Sequence, residues 1–448
     1  METMESTMTP GASSHTTGLP AVCPERDWSR AYTRCSLFGA ALVGTEVYDS
    51  NICPHGPQGC LHVVREATAQ QNRETDYAQS GMTSRDVIFG GKDTLIAAFL
   101  ETMGEYAQAG PKISISTCAP EIIGDDLEDV VSRINPKLPV IAVHGGFQGD
   151  QYYGLNQTLL KLVERFADKQ AAVEPGLVNL VGNIGGTRGW RADVREMARV
   201  LSALGLTVNH LVCDGTLDNV RRASHAEATL LITPEIGGQA ADYLQQTCNR
   251  PVLSSTLGLP LGLRGTEHWL RAVAAGLSVA PGRLDALLAD EEEEVRVRLK
   301  VGLNNLVFNE KALQLKRLPV SVVAEAVSAL SWARFLSEEL EMVPCVIGLR
   351  TPVDRDQLHP DLARWLDASD SRVVLVQPSL ESVQEAHAHF RPHLVLGSSL
   401  EADMVRELGL RAFVHIVHPN TQYVTIIEEP HLGYRGMLHA CESILNAT

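Results

Sequence analysis

From Lys112 onward the chain repeats one theme: a short apolar run, a glycine-rich or acidic turn, then a longer segment with helical spacing. That repetition restricts the fold to parallel strands joined by crossover helices. Ile113–Ser116 precedes a helical stretch over Ile122–Ile134, and Leu177–Val181 precedes Arg191–Leu204. Val208–Val212 precedes Leu217–Ser224, and Val373–Val376 precedes Leu380–Phe390. A last amphipathic helix is predicted over Tyr434–Leu445. A chain of 448 residues exceeds what one hydrophobic core supports. The breaks in the pattern near residues 172 and 310 divide it into three doubly wound α/β domains, 21–172, 173–310 and 311–448. The segment 1–20, rich in Ser, Thr, Gly and Pro, reads as a disordered tail with neither the basic start nor the apolar centre of an export signal.

A formal net charge of −16 argues against nucleic acid as a partner, because phosphate binding needs clustered Lys and Arg. Apolar runs such as Val373–Val376 are far too short to cross a bilayer, so no membrane span is expected and a cytoplasmic location is. Gly90-Gly91-Lys92 is followed by Asp93, which breaks the phosphate-binding loop pattern. Any nucleotide hydrolysis is therefore assigned to a partner. The acidic run Glu291–Glu294 reads as a solvated helix face.

Nine cysteines, at 23, 35, 53, 60, 118, 213, 248, 345 and 441, in a chain without an export signal point to metal binding or burial in place of disulfides. Three of them stand in glycine- and proline-marked turns. These are Arg34-Cys35-Ser36-Leu37-Phe38-Gly39, His55-Gly56-Pro57-Gln58-Gly59-Cys60 and Ser116-Thr117-Cys118-Ala119-Pro120. Cys118 falls at the carboxyl end of a predicted strand, where open α/β sheets place ligands, and glycine lets backbone approach a bulky inorganic group. Zinc sites favour cysteine pairs two to four residues apart, and no such pair occurs, so thiolate ligation of an iron–sulfur cluster is preferred. Three cysteines leave a four-iron cluster one ligand short, to be supplied by another chain or by a different side chain. The remaining cysteines read as packing or surface thiols. His55 and His62, beside Cys60, read as structural histidines.

Cys35 and Cys60 stand 25 positions apart (60 minus 35), and Cys60 and Cys118 stand 58 apart (118 minus 60). Motif and spacing together resemble the β-type subunits of the nitrogenase component 1 family. Ser80-Gly81-Met82-Thr83, Val87-Ile88-Phe89-Gly90-Gly91, Ser255-Thr256-Leu257-Gly258-Leu259-Pro260-Leu261-Gly262 and Leu432-Gly433-Tyr434-Arg435-Gly436 extend the resemblance over nearly the whole chain. It implies three α/β domains and an iron–sulfur cluster of P-cluster type, with eight irons and seven sulfides, shared between two subunits. Cys35, Cys60 and Cys118 would be this chain's share. Where the family often carries a serine able to ligate the oxidised cluster, this chain has Asp150, in Gly146-Phe147-Gln148-Gly149-Asp150. A carboxylate there is compatible with ligation, with a four-iron cluster as the alternative, or with a plain helix-capping role.

The resemblance further implies an α2β2 heterotetramer with an α-type catalytic subunit, fed by a homodimeric ATP-dependent iron protein. The segment Leu230–Gly238, following Asp214-Gly215-Thr216-Leu217, contains no cysteine of the kind that fixes the reducing cofactor in the α-type chain. This chain is then expected to relay electrons within a reductase acting outside dinitrogen fixation. Reductive C–S cleavage of methylthio-alkanes is the expected reaction. A nitrogenase β subunit and a cofactor-assembly scaffold are the alternatives.

Overall fold

The computed structural model describes residues 32–448 except 49, 71–78, 106–111, 135–139, 183, 185–188, 278, 305, 354–357 and 423. The tail expected over 1–20, the start of the first predicted domain and Cys23 lie outside the described residues.

Among the described residues, twelve strands form three separate sheets in which every pairing is parallel. The first contains β1 (Asn51–His55), β2 (Lys112–Ser116) and β3 (Val140–Val143), in that order. The second contains β4 (Leu177–Val181), β5 (Thr207–His210), β6 (Ala228–Leu231) and β7 (Val252–Leu253), ordered β5-β4-β6-β7. The third contains β8 (Pro319–Ala324), β9 (Val343–Leu349), β10 (Val373–Val376), β11 (Leu394–Gly397) and β12 (Ala412–His415), ordered β10-β9-β8-β11-β12. The second and third sheets reverse strand order about β4 and β8, the mark of double winding. The three strands of the first follow chain order, and its double-sided character comes from its helices.

Those helices explain where the candidate site sits. The helix α1 (Ser36–Glu46) precedes β1, and α2 (Leu61–Gln70), α3 (Ser84–Phe89) and α4 (Lys92–Glu105) lie between β1 and β2. Two more, α5 (Cys118–Ile123) and α6 (Leu127–Ile134), separate β2 from β3, and α7 (Gln151–Phe166) follows β3. Alternation along the strands sends Ile52, Ile113, Ile115, Ile141 and Val143 into a core shared with α1 and α7. Cys53 and Ala142 face the opposite way, against Leu95, Ala98, Leu127 and Val130 of α4 and α6. The stretch expected as one helix over Ile122–Ile134 is two, because Gly124 caps α5 in the left-handed region at φ 73°. Cys118 is the first residue of α5, after extended Thr117 at its N-cap.

All eleven residues of α1 are buried, which its small side chains permit. A β-carbon at Gly39 would lie 1.7 Å from the Gln151 carbonyl oxygen, and one at Gly154 would lie 1.8 Å from the Ser36 carbonyl oxygen. α1 and α7 thus meet backbone to backbone.

The second and third sheets match the sequence pattern closely. α8 (Trp190–Ala203) follows β4, and helix Leu380–Phe390 follows β10. The final helix, Gly433–Ala447, packs its apolar face on α8 and on helix Gly262–Gly276. Glu291 departs from the expected solvated face, since it turns inward to pair with Arg199 at 2.6 Å. Among the described residues no helix is long and apolar enough to cross a membrane.

The α1–α7 crossing predicts that Gly154→Ala lowers stability by about 1–3 kcal/mol through overpacking, read as a lower urea midpoint at unchanged slope. A second prediction concerns His387, fully buried with its Nε2 2.8 Å from Ser321 Oγ. Burial lowers its pKa from 6.5 to about 4, against a small upward pull from Glu401. A histidine that stays neutral when folded but charges when unfolded contributes stability above its unfolded pKa and loses it as pH falls from 6.5 towards 4. Lowering the pH from about 7 to about 5 should remove about 2 kcal/mol through this group, and His387→Gln should flatten the pH dependence by that amount in denaturant titrations.

Candidate metal centre

The three strands of the first sheet end together at His55, Ser116 and Val143, and the segments leaving those ends carry the candidate ligands. Cys60 closes a short 3-10 turn (Gln58–Cys60) leading into α2. Cys118 opens α5, and Asp150 is the N-cap of α7. Cys35 comes from outside the sheet as the N-cap of α1, and an antiparallel bridge joins it to Asp150. Gln151 N donates to Arg34 O at 2.8 Å, and Arg34 N donates to Gln151 Oε1 at 3.2 Å. The Cys35 segment is thereby laid along the first turn of α7.

Local backbone chemistry holds the other two cysteines. Thr117 N donates to His55 O at 3.0 Å, which ties the end of β2 to the end of β1. Met82 N donates to Gly56 O at 2.9 Å and Ser80 N to Pro54 O at 3.2 Å, so the Ser80–Thr83 segment braces the Cys60 turn. Beneath it, buried His55 places Nδ1 2.8 Å from Ser80 Oγ and Nε2 3.3 Å from Asp125 Oδ2. Burial lowers the His55 pKa, while Asp125 opposes that shift. A neutral, structural histidine results, and His62 is exposed on α2. Glycine is required twice at close quarters. At Gly56 a β-carbon would fall 1.9 Å from Thr117 Oγ1, and at Gly146, with φ 65°, it would press on Cys118 Cα at 3.0 Å.

The sulfurs of Cys35, Cys60 and Cys118 lie within electrostatic reach of one another. Burial pushes the Cys60 thiol up; the Thr117 hydroxyl pulls it down, and Cys35 pushes it further up. Cys118 is raised by burial, then by Cys35 and Cys60. Cys35 is exposed, and the other two are half-buried. Thiols that disfavour one another's charge are suited to a cationic group that relieves the repulsion, and each stands at or just before a helix N-terminus that favours negative charge. Thr117 Oγ1 is buried without a conventional hydrogen-bond partner, although it stands close enough to Cys60 to favour its thiolate. Among the described residues no three His, Cys, Asp or Glu side chains converge tightly enough to hold a single metal ion. The donor set, the glycine-lined cradle and the orphaned hydroxyl fit a larger inorganic group.

Asp150 Oδ1 accepts from Tyr152 N at 3.0 Å and Tyr153 N at 3.1 Å, so one oxygen is committed to capping α7. A ligand role would fall to Oδ2. Among the described residues the other cysteines, Cys53, Cys213, Cys248, Cys345 and Cys441, are buried. Sequence reasoning passed over Thr117 and Gly146, although a hydroxyl residue directly before a helix-starting cysteine was a readable signal.

Beside the exposed polar residues Arg34, Gln58 and Gln148, several large apolar side chains are also exposed near the thiols. α3 packs on α5, which packs on the 146–148 turn, and together they expose Ile88 (73%), Phe89 (79%), Ile122 (70%) and Phe147 (56%). A contiguous exposed patch of this kind marks an interaction surface.

Comparison with known proteins places the chain in a family. The B subunit of light-independent protochlorophyllide reductase from Rhodopseudomonas palustris is 25% identical over 89% of this chain and 73% of its own length. The vanadium-iron nitrogenase β chain of Trichormus variabilis is 26% identical over 92% of both chains. The iron-iron nitrogenase β chain of Rhodobacter capsulatus is 25% identical over the same shares. In fold, nitrogenase Cp1 solved at pH 6.5 superposes with a TM-score of 0.80 at 18% identity, covering 96% of this chain and 95% of that one. The profile of the nitrogenase component 1 type oxidoreductases matches residues 35–448, and the chain belongs to that family.

Proposed function

We propose that this chain is the β-type subunit of a nitrogenase-like reductase, in which Cys35, Cys60 and Cys118 hold one side of an iron–sulfur cluster shared with an α-type partner. The observation that carries this reading is the meeting of three far-separated thiols at the carboxyl end of one parallel sheet, beside the orphaned Thr117 hydroxyl. When bound, the cluster supplies one-electron transfer between an ATP-dependent homodimeric iron protein and the reducing cofactor of the partner. A P-cluster type centre of eight irons and seven sulfides is the first assignment, with a four-iron cluster completed by Asp150 as the alternative. With a cluster in place, the Thr117 hydroxyl would donate to the Cys60 sulfur, and the N-termini of α1 and α5 would favour the thiolate form of the cysteines beside them. Ile88, Phe89, Ile122 and Phe147 are the surface that the α-type chain covers in an α2β2 assembly, which keeps water from the cluster.

For the substrate, Asp150 at the family's serine position supports a reductase outside dinitrogen fixation, with C–S cleavage of methylthio-alkanes as the reaction. The mutual 92% coverage with two alternative-nitrogenase β chains favours a second reading, a nitrogenase β subunit. Anaerobic purification with the partner chains and a product screen separates them: thiol or hydrocarbon from methylthio compounds supports the first, ammonia from dinitrogen the second.

Cys60→Ala and Cys118→Ala should each reduce iron content in the purified complex roughly tenfold or more, whereas Cys345→Ala should leave it unchanged. Normal iron in the first two variants would end the cluster assignment. Asp150→Asn preserves the helix cap, so a changed cluster spectrum or iron count in that variant identifies a ligand, and an unchanged one leaves Asp150 as a cap alone. Thr117→Val removes only the hydroxyl, and iron retention under chelator challenge should fall roughly tenfold.

A further inference from the structure

Of the three thiols at the site, Cys35 is the one that the first sheet does not itself carry, and two contacts tie its segment to the third sheet. Tyr32, three residues before it, is buried among Val323, Val383 and Met404, with its ring 4.7 Å from the Arg350 guanidinium carbon. On the other side, Tyr152 in the first turn of α7 donates its hydroxyl to Glu325 Oε1 at 2.6 Å, across 173 residues of sequence. Glu325 caps helix Ala326–Glu338 directly after β8, and it is buried. Arg350, which follows β9, forms a fully buried ion pair with Glu401 at 2.7 Å and donates to Ser398 Oγ and His418 O. This anchor cannot shift without breaking a paired charge away from water.

From that anchor the connection to the site is continuous. Glu325 fixes the Tyr152 hydroxyl, and the Tyr152 amide donates to Asp150 Oδ1. Asp150 is bridged to Cys35, while Gln151 N holds Arg34 O. The first turn of α7 is thus clamped between the third sheet and the Cys35 segment. Cys60 and Cys118 are held by β1, β2 and the Ser80–Thr83 brace, and this route does not pass through them.

We propose that Tyr152 and Glu325 are positioning residues for Cys35: their hydrogen bond makes the placement of one cluster thiol depend on the third sheet in addition to the α1–α7 crossing, while the other two depend on the first sheet alone. This rests on the cluster reading, because only a bridging group makes the relative placement of the three sulfurs matter chemically. Neither residue touches Cys35 itself: their side-chain link acts through the first turn of α7, where the Tyr152 amide donates to Asp150.

The test uses the full chain. In the cluster-free protein, Tyr152→Phe and Glu325→Ala should speed amide hydrogen exchange over residues 34–36 and 150–153 by tenfold or more, with segments 58–62 and 116–119 unchanged. Glu325→Gln, whose amide oxygen can still accept from Tyr152, should restore wild-type exchange. In the assembled complex, Tyr152→Phe should shift the midpoint potential and the paramagnetic spectrum of the cluster without lowering its iron content. Unchanged exchange at 34–36 in both disrupting variants would overturn the proposal, as would equal acceleration at all three cysteines. A wild-type chain that takes up no iron and sulfide would remove the cluster reading and leave the exchange result standing.

Discussion

The candidate site depends first on the backbone-to-backbone crossing of α1 and α7 at Gly39 and Gly154. A helix buried on every side can supply a ligand at its N-terminus only if its axis is fixed, and here the fixing is steric. Two carbonyl oxygens occupy the space that two β-carbons would need. Because Asp150 is the N-cap of α7 and Cys35 that of α1, the same crossing sets the short bridge between those residues. Packing in the core and geometry at the surface are therefore one constraint, and a methyl group placed at the crossing would be felt at the thiol.

The second constraint is electrostatic. Cys60 and Cys118 are half-buried, and burial together with their neighbours holds their thiols in the protonated form. Such an arrangement is unfavourable for three free thiolates and favourable for three thiolates around cationic iron. Helix N-termini add a fixed favourable field, which needs no reorganisation when the group arrives. The apolar side chains exposed near the site have a matching logic: exposed Phe89 and Ile88 are a liability for an isolated chain and an asset for one completed by a partner.

Much of this was readable in the sequence, for definite reasons. Short apolar runs followed by helical spacing gave β4 with α8 and β10 with helix Leu380–Phe390 almost to the residue, because apolar parallel strands and amphipathic helices write strong periodic signals. The three cysteines stood out through glycine and proline context and spacing. What stayed hidden was set by tertiary structure. Gly124-Asp125-Asp126 was readable as a turn that starts a helix, whereas the separate short helix opened by Cys118 lay outside the helical stretch read from Ile122 onward. Glu291 turns inward only because Arg199 lies opposite it. The Tyr152–Glu325 link joins residues with no sequence relation. Asp150 was legible as either cap or ligand, and the capping geometry accounts for one of its oxygens.

The meeting place of the second and third sheets bears on the division of labour between this chain and its proposed partner. Open α/β folds bind ligands at the carboxyl ends of their strands, and here the ends of β6, β8 and β9 face one another. Glu235, after β6, accepts from the hydroxyls of Thr233 and Thr351, the latter after β9. Glu325 meets Tyr152, and Arg350 meets Glu401. Burial raises the carboxyl pKa of both Glu235 and Glu325, with Arg350 opposing the shift at Glu325. The hydroxyls of Thr233 and Thr351 at Glu235, and of Tyr152 at Glu325, oppose that rise by donating to the carboxylate oxygens. The segment Leu230–Gly238, which runs from the end of β6 to the start of the next helix and has no cysteine, meets the third sheet through Glu235, and a Gly182 β-carbon would already press on Ile236 O at 2.7 Å. The buried ion pair and the carboxyl hydrogen bonds hold the two sheets together there, while Glu325 Oε2, Ser328 Oγ and Arg350 Nε stay buried without a hydrogen-bond partner.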